Sequence, residues 1–339
     1  MPPWAPFWSP DLSVSSLRVG VYVDAENVRY NGGYAMRYDV LRRFAARGDE
    51  NIATQLIRLN TYMAVDGQRT RVDSDYRDRI RAYQQAVRDL GWKIIEKPVR
   101  WFTDEEGNAV AKANADLDLA VDVMLQSERL DQVLLLTGDG DFLQVVRALQ
   151  NRGCRVEVLG FRNVSQQLQH EADAFYSGYL IPGLLPARGD GKVQWGDFGS
   201  RVRGICSRWE AERGFGFIRF QRELSARLWV TDTRQDDSPY SSAFVHISDL
   251  PRELDVSDLP SRDIVLEFDL ESSEMERGGF VAKRCTVVYR YDGKYNAAPR
   301  LDHREMELLP AKVRSEEPEE PEENSQPAGS LVAVSATED

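Results

Sequence analysis

The chain predicts an α/β fold, a mostly parallel sheet flanked by helices, followed by a small all-β barrel. Two observations predict the first part. Apolar runs over 19–24 and 133–137 each lead directly into aspartates, and strand and helix patterns alternate over the first 180 residues. Such alternation builds a parallel sheet with helices on both faces. A third observation predicts the second part. Five short segments between 201 and 288 alternate apolar and polar residues without helical periodicity, the pattern of a small antiparallel barrel.

The elements follow in order. Residues 19–24 read as a buried strand, 38–47 as a helix and 53–65 as a strand rich in Ile, Leu and Tyr. A long polar-faced helix over 73–90 is stopped by Gly91, and a strand over 92–99 ends near Pro98. Residues 100–112 read as a loop, 115–127 as a helix, 133–137 as a strand and 142–150 as a helix. After Gly153 come a strand over 155–159 and a last helix over 164–174. The Pro- and Gly-rich stretch 181–191 reads as a linker, which sets domain limits of 18–180, 181–199 and 200–290. Barrel strands are expected at 201–207, 214–220, 242–247, 264–270 and 279–288. The Glu-Glu-Pro repeats within 312–339 cannot build a core and read as a disordered acidic tail. Trp4 and Trp8 stand among prolines and read as an unstructured or docking tail.

With 339 residues there is room for two domains and a sizeable core. The net charge is −12, but the segment 312–339 holds eight acids and two bases, so half of that charge lies in the tail. Overall acidity therefore argues only against strong non-specific DNA binding and leaves room for a local basic path. Cys154, Cys206 and Cys285 are widely spaced, and the histidines are His170, His246 and His303. That usage argues against a zinc site or a disulfide framework and fits a reducing cytoplasm. The N-terminus lacks a basic region followed by an apolar core, as a secretory signal would need. No stretch has the length of a membrane span. The expectation is a cytoplasmic, bacterial protein without a membrane partner.

The chemistry concentrates in acids at predicted strand ends. Asp24 closes the first strand, and Asp139 and Asp141 follow the strand over 133–137. Asp116, Asp118 and Asp122 lie on the helix that starts near 115. The carboxyl edge of an open parallel sheet is where such folds place their sites. Carboxylates gathered there raise one another's pKa, and a hard cation relieves the repulsion. Mg²⁺ or Mn²⁺ takes oxygen ligands and can activate water and stabilise charge on a phosphoryl oxygen. Phosphodiester hydrolysis is the implied reaction class. Each acid alone also suits a bland role: Asp116 as a helix cap, Asp139-Gly-Asp141 as a tight turn, Asp122 as a solvated or packing residue. An aspartyl-nucleophile phosphatase would need a second aspartate where Glu26 stands. A dinucleotide site would need a GxGxxG after the first strand, which is absent.

Three motifs, VYVDAEN ending at Asn27, NADLDLAVD ending at Asp122 and TGDGDF ending at Phe142, closely resemble the NYN domain in its LabA-like branch. The resemblance covers roughly 18–180. It implies a PIN-like fold related to metal-dependent ribonucleases. By that resemblance Asp24, Asp116, Asp139 and Asp141 are the metal-binding acids. Asn27 orients Asp24 or a water, and Asp118 is a supporting acid.

The barrel segment carries Gly214-Phe-Gly-Phe-Ile218 and Phe244-Val-His246. Alternation puts Phe215 and Phe217 on one strand face. Stacking unpaired bases on such a face is worth about 1–3 kcal/mol each. Between 201 and 234 eight arginines face four acids, a modest basic path for a phosphate backbone. The bland alternative is that the rings form the barrel core. The two motifs together resemble a cold-shock domain, an OB-type barrel, over roughly 200–290. That resemblance implies that Phe215, Phe217, Phe244 and His246 stack on bases, with Trp209 and Arg213 beside them.

The expected function is a metal-dependent ribonuclease-like protein acting on single-stranded RNA with Mg²⁺ or Mn²⁺. DNA stays open as a second substrate, because stacking platforms read both, and so does a homo-oligomer. The alternative is a non-catalytic RNA-binding regulatory protein with a vestigial nuclease fold.

Overall fold

The computed structural model describes residues 16–48, 52–103, 109–112, 115–187, 193–273 and 279–291. The acidic tail and the segment holding Trp4 and Trp8 lie outside these residues.

The first part contains β1 (Leu17–Asp24), α1 (Ala25–Val28), α2 (Tyr38–Ala45), β2 (Thr54–Val65), α3 (Gly67–Val72) and α4 (Ser74–Asp89). It continues with β3 (Lys93–Pro98), β4 (Arg100–Thr103), β5 (Ala109–Lys112), α5 (Ala115–Gln126) and β6 (Gln132–Leu136). It closes with α6 (Leu143–Asn151), β7 (Arg155–Gly160), α7 (Gln166–Glu171) and β8 (Ala174–Ser177). The six-stranded sheet has the order β3-β2-β1-β6-β7-β8, and every pairing in it is parallel. Strand order therefore reverses between β1 and β6.

The central strands are apolar because both their faces are covered. Every residue of β6 is buried. Val19, Val21 and Val23 point to one layer with Phe44, Leu134 and Leu136. Tyr22 points to the other, with Leu119, Val123 and Leu135. The period-two alternation of β1 thus feeds two cores. Helix α4 begins where the Asp73 carboxylate accepts the Tyr76 N–H at 2.8 Å, satisfying an otherwise orphan donor. It ends before Gly91, whose φ of +84° suits a residue without Cβ.

Local differences from the sequence reading have physical reasons. The expected loop over 100–112 is an antiparallel pair, β4 with β5. The last helix is shorter than expected, and β8 adds an edge strand to β7. The stretch read as a linker starts inside the first core. Ile181, Leu184 and Leu185 are buried there, so the Pro-Gly signal marks turns rather than a free tether.

The second part is a closed barrel of β9 (Arg201–Glu210), β10 (Phe215–Gln221), β11 (Tyr240–His246), β12 (Ile264–Ser272) and β13 (Phe280–Arg290), in the order β10-β11-β13-β12-β9. It is not wholly antiparallel, because β11 and β13 pair in parallel. Its core holds Val202, Ile218, Phe220, Val245, Leu266 and Phe268.

The two parts share packing. Ile205 and Val265 of the barrel join the same buried cluster as Leu184 and Leu185. Tyr179 and Tyr289 stack with ring centroids 5.5 Å apart. Arg203 donates to Pro186 O at 2.6 Å and to Glu267 at 2.8 Å. Glu267 also accepts from Arg201 at 2.8 Å, so one buried carboxylate balances two guanidinium groups.

Candidate active site and nucleic-acid interface

The reversal between β1 and β6 opens a crevice at the carboxyl ends of the strands, the usual ligand position in open α/β sheets. Asp24 ends β1 there and is 4% exposed. It caps α1 by accepting the Asn27 N–H at 3.0 Å, and Thr137 Oγ1 lies 3.5 Å from its second oxygen. Asn27 thus holds Asp24 through its backbone, and its side chain makes a second tie. Its Oδ1 accepts the Gly138 N–H at 2.8 Å, tying the β1 loop to the β6 loop.

Asp139 is positioned by its own turn. It accepts the Asp141 N–H at 2.9 Å, and its N–H donates to Thr137 Oγ1 at 3.2 Å. The two glycines of the motif permit close backbone approach. A Cβ on Gly138 would stand 3.1 Å from Asn163 O, and one on Gly140 would stand 3.0 Å from Ser165 Oγ. Ser165 N–H in turn donates to Gly138 O at 2.9 Å.

The acids feel one another. Burial pushes the Asp24 carboxyl up to about 7, and the Asp116 charge adds to that, with smaller contributions from Glu26 and Asp139. The Asn27 N–H opposes the shift. Asp116 is also raised, by burial first and then by Asp139 and Asp141. Asp24, Asp116, Asp139 and Asp141 are therefore gathered on one edge, with Asp141 on its exposed rim.

Asp118 is not among the charges acting on Asp24. It forms an ion pair with Lys97 of β3, away from the other acids because it follows Asp116 by two positions on a helix. Asp122 accepts the Tyr62 hydroxyl at 2.8 Å, a packing role. Asp66, which no sequence motif marks, is another buried acid at the end of β2. Its carboxylate caps α3 through the Gln68 and Arg69 N–H groups, a structural use. Asn31 and Asn163 also brace this edge, the Asn163 amide donating to Asn31 Oδ1 at 3.0 Å. Neither has a sequence signal beyond an isolated asparagine, because their partnership spans 132 positions.

A divalent cation can be tested against this edge. Among the described residues, no three carboxylate, imidazole or thiolate groups form a ready cage for one ion. The donor chemistry nonetheless fits Mg²⁺ or Mn²⁺. All donors are hard oxygens, no cation among the described residues offsets the charges on Asp24 and Asp116, and such ions keep several waters.

On the barrel, strand register decides the aromatic question. Ile218, Phe220, Ala243 and Val245 point inward and are buried. Phe215, Phe217 and Phe244 lie on the opposite face, half-buried. Phe217 stands across from Phe244, and Phe215 across from His246. The rings form one cluster, with centroids 5.5 Å apart for Phe215 and Phe244 and 6.0 Å for Phe217 and Phe244. His246 is exposed at its rim, with Nδ1 2.8 Å from Ser248 Oγ. The bland core reading of these rings is thereby removed.

Trp209 is a correction. It stands across from Gly216 and packs against the barrel core, with its indole N–H buried and without a partner among the described residues. A Cβ on Gly216 would lie 2.6 Å from that ring, which explains the glycine between two phenylalanines. Arg208, not Trp209, stands across from Phe217. The basic path is thinner than the arginine count implies. Arg201 and Arg203 are committed to Glu267, Arg208 to Glu210, Arg227 to Asp237 and Arg234 to Asp232. Arg213 is exposed without an ion-pair partner among the described residues, and Arg219 lies 5.5 Å over the Tyr240 ring.

Comparison with known proteins bears on the first part of the chain. The NYN domain model matches residues 18–182. Residues 18–182 form an NYN domain. A curated relative, the low amplitude and bright protein LabA of Synechococcus elongatus, is 25% identical over 165 residues, which cover 47% of this chain and 82% of that protein. A crystal structure of a protein of unknown function from Vibrio parahaemolyticus aligns with 22% identity and a TM-score of 0.37, covering 48% of this chain and 93% of its own. The NYN domain gives the chain a nuclease-like fold, and the closed five-stranded barrel that follows it is OB-like. Among the described residues, no helix is long and apolar enough to cross a membrane.

Proposed function

We propose that the chain is a metal-dependent ribonuclease acting on single-stranded RNA. The carrying observation is the acid edge: Asp24 is buried at the switch point of a parallel sheet, under the charges of Asp116 and Asp139. Buried acids without a counter-charge are costly, and a divalent ion offsets that cost. Asp24, Asp116 and Asp139 would hold the ion, with Asp141 at the rim.

When bound, the ion would polarise a phosphoryl oxygen and acidify water. The chain's residues do the rest. Asp24 gives up its proton before it can ligate. The Asn27 backbone fixes the Asp24 carboxylate, and its amide side chain locks the neighbouring loop at Gly138. Asp139 is held in one orientation by its own turn. On the barrel, Phe215, Phe217 and Phe244 present stacking faces for unpaired bases, while Arg213 and Arg219 meet the backbone. Asp118, paired with Lys97, supports the α5 start.

A second reading, an RNA-binding regulator without catalysis, draws on the absence of a ready three-ligand cage among the described residues. One experiment separates the two. Purified protein is incubated with unstructured RNA and Mn²⁺, Mg²⁺ or EDTA. Cleavage that needs the metal and disappears in Asp139→Asn supports the nuclease; RNA binding without cleavage under either metal supports the regulator.

A further inference from the structure

Residues 222–239 join β10 to β11, a connection far longer than the ~2–5 residues of a hairpin loop. The loop is bonded along its length. Leu224 and Leu228 pack against the core of the first part. The Arg222 N–H donates to Pro239 O at 2.8 Å, and the Ser238 hydroxyl to Val230 O at 2.7 Å. The Tyr240 hydroxyl donates to Leu228 O at 3.2 Å. A loop held in this way presents its outward side chains in fixed positions.

Trp229 is an outward side chain of that loop, 61% exposed. Trp92 is buried, and Trp195 and Trp209 are half-buried. A large ring left in water adds little to a core, and Leu228 beside it does the packing. Folding therefore gives no reason for a tryptophan at this position.

The loop meets the aromatic face of the barrel. On β10, Phe215, Phe217 and Arg219 alternate with the buried Gly216, Ile218 and Phe220, so the first three share the outer face. Arg219 follows Phe217 there by about 7 Å along the strand. On β11, Tyr240, Ser242, Phe244 and His246 lie on the same outer face, across from β10. Arg219 Nη1 donates to Thr231 O at 3.5 Å, and its guanidinium lies 5.5 Å from the Tyr240 ring centre. The chain on both sides of Trp229 is thus tied to this face, Leu228 to Tyr240 and Thr231 to Arg219. Two of the loop's aspartates, Asp232 and Asp237, are paired with Arg234 and Arg227, which lowers their repulsion of a phosphate backbone.

We propose that Trp229 is a further base-stacking residue, carried by the loop, which with Arg219 extends the aromatic face of the barrel to an additional nucleotide of single-stranded RNA. The inference rests on the RNA reading above and lengthens its footprint. Phe215, Phe217 and Phe244 take the first bases, Arg219 meets a phosphate, and Trp229 stacks on the base beyond. An indole face accepts any base, so this contact adds grip without base preference.

The test is fluorescence anisotropy of the full-length protein, in EDTA, with labelled oligouridylates of about four and about eight nucleotides, lengths that one OB-type barrel can hold. Trp229→Ala should weaken binding of the longer strand about tenfold and leave the shorter within about twofold. Trp229→Phe, which keeps a stacking ring, should recover most of that loss. Phe217→Ala should weaken both strands. Thermal melts of the Trp229 variants should match the wild type, because the ring is exposed. Trp229→Ala binding both strands as the wild type does, or losing affinity equally for both, overturns the extension and leaves the RNA reading standing. A wild type that binds neither strand removes the RNA reading itself, and the extension with it.

Discussion

At the sheet edge, Asp24 is 4% exposed and its carboxyl is pushed up to about 7. On the barrel, Phe217 and Phe244 are half-exposed rings placed by strand register alone. The acid edge needs a web of loop contacts: Asn27 to Gly138, Ser165 to Gly138, Asn31 to Asn163. The aromatic face needs only two paired strands with alternating residues. The difference is physical. Charges in a poorly solvated edge repel and must be held against that repulsion, whereas rings on a strand meet without cost. In the proposed function, chemistry that develops charge is assigned to the first region and sequence-tolerant grip to the second.

The largest effect should fall on cleavage. With Mn²⁺ or Mg²⁺, Asp24→Asn or Asp139→Asn should lower the rate more than about a hundredfold, since a positioned ion supplies several kcal/mol. Asp118→Asn should cost far less, because Asp118 serves Lys97. Single-turnover cleavage assays check both, and equal losses would break the distinction.

The next effect is on stability without metal. The Asp24 pKa rises from 3.8 in the unfolded chain to about 7 in the fold. Between those values the native state holds a proton that the unfolded state has lost, so this group's contribution falls as pH rises and levels off above about 7. The whole penalty is on the order of 4 kcal/mol at most. In EDTA at pH 8, Asp24→Asn should therefore raise the melting temperature, and the gain should shrink towards pH 5. Mn²⁺ should raise that of the wild type and not that of the variant. Thermal melts at the two pH values decide this; a destabilised Asp24→Asn at pH 8 would contradict it.

On the barrel, Phe217→Ala with Phe244→Ala should weaken single-stranded RNA binding by roughly 2 kcal/mol or more while leaving the fold intact. Trp209→Ala should do the reverse, costing about 3 kcal/mol of stability through lost packing. Trp209→Phe should leave RNA affinity within about twofold. Fluorescence anisotropy with labelled RNA, beside denaturant melts, would expose any reversal of these roles.

Much of both sites was legible in the sequence. The acids after the two central strands and the alternating phenylalanines announce themselves by position. Trp209 is named because it stands beside Arg208, where the cold-shock resemblance implies an exposed tryptophan; its pairing with Gly216 puts it on the face that packs against the barrel core. The arginine count misled for a related reason, since their acid partners at Glu267 and Asp237 lie 10 to 66 positions away.

The sequence by itself determined what is local. Apolar runs make the strands, alternation puts Phe215 and Phe217 on one face, and aspartates after strands gather at one edge. The tertiary structure alone decided what depends on distant partners: which face is solvent, which arginines are spent, that Asp118 turns to Lys97, and that burial plus Asp116 lift Asp24. Periodicity is a property of the chain, whereas burial and charge coupling arise only when remote segments meet.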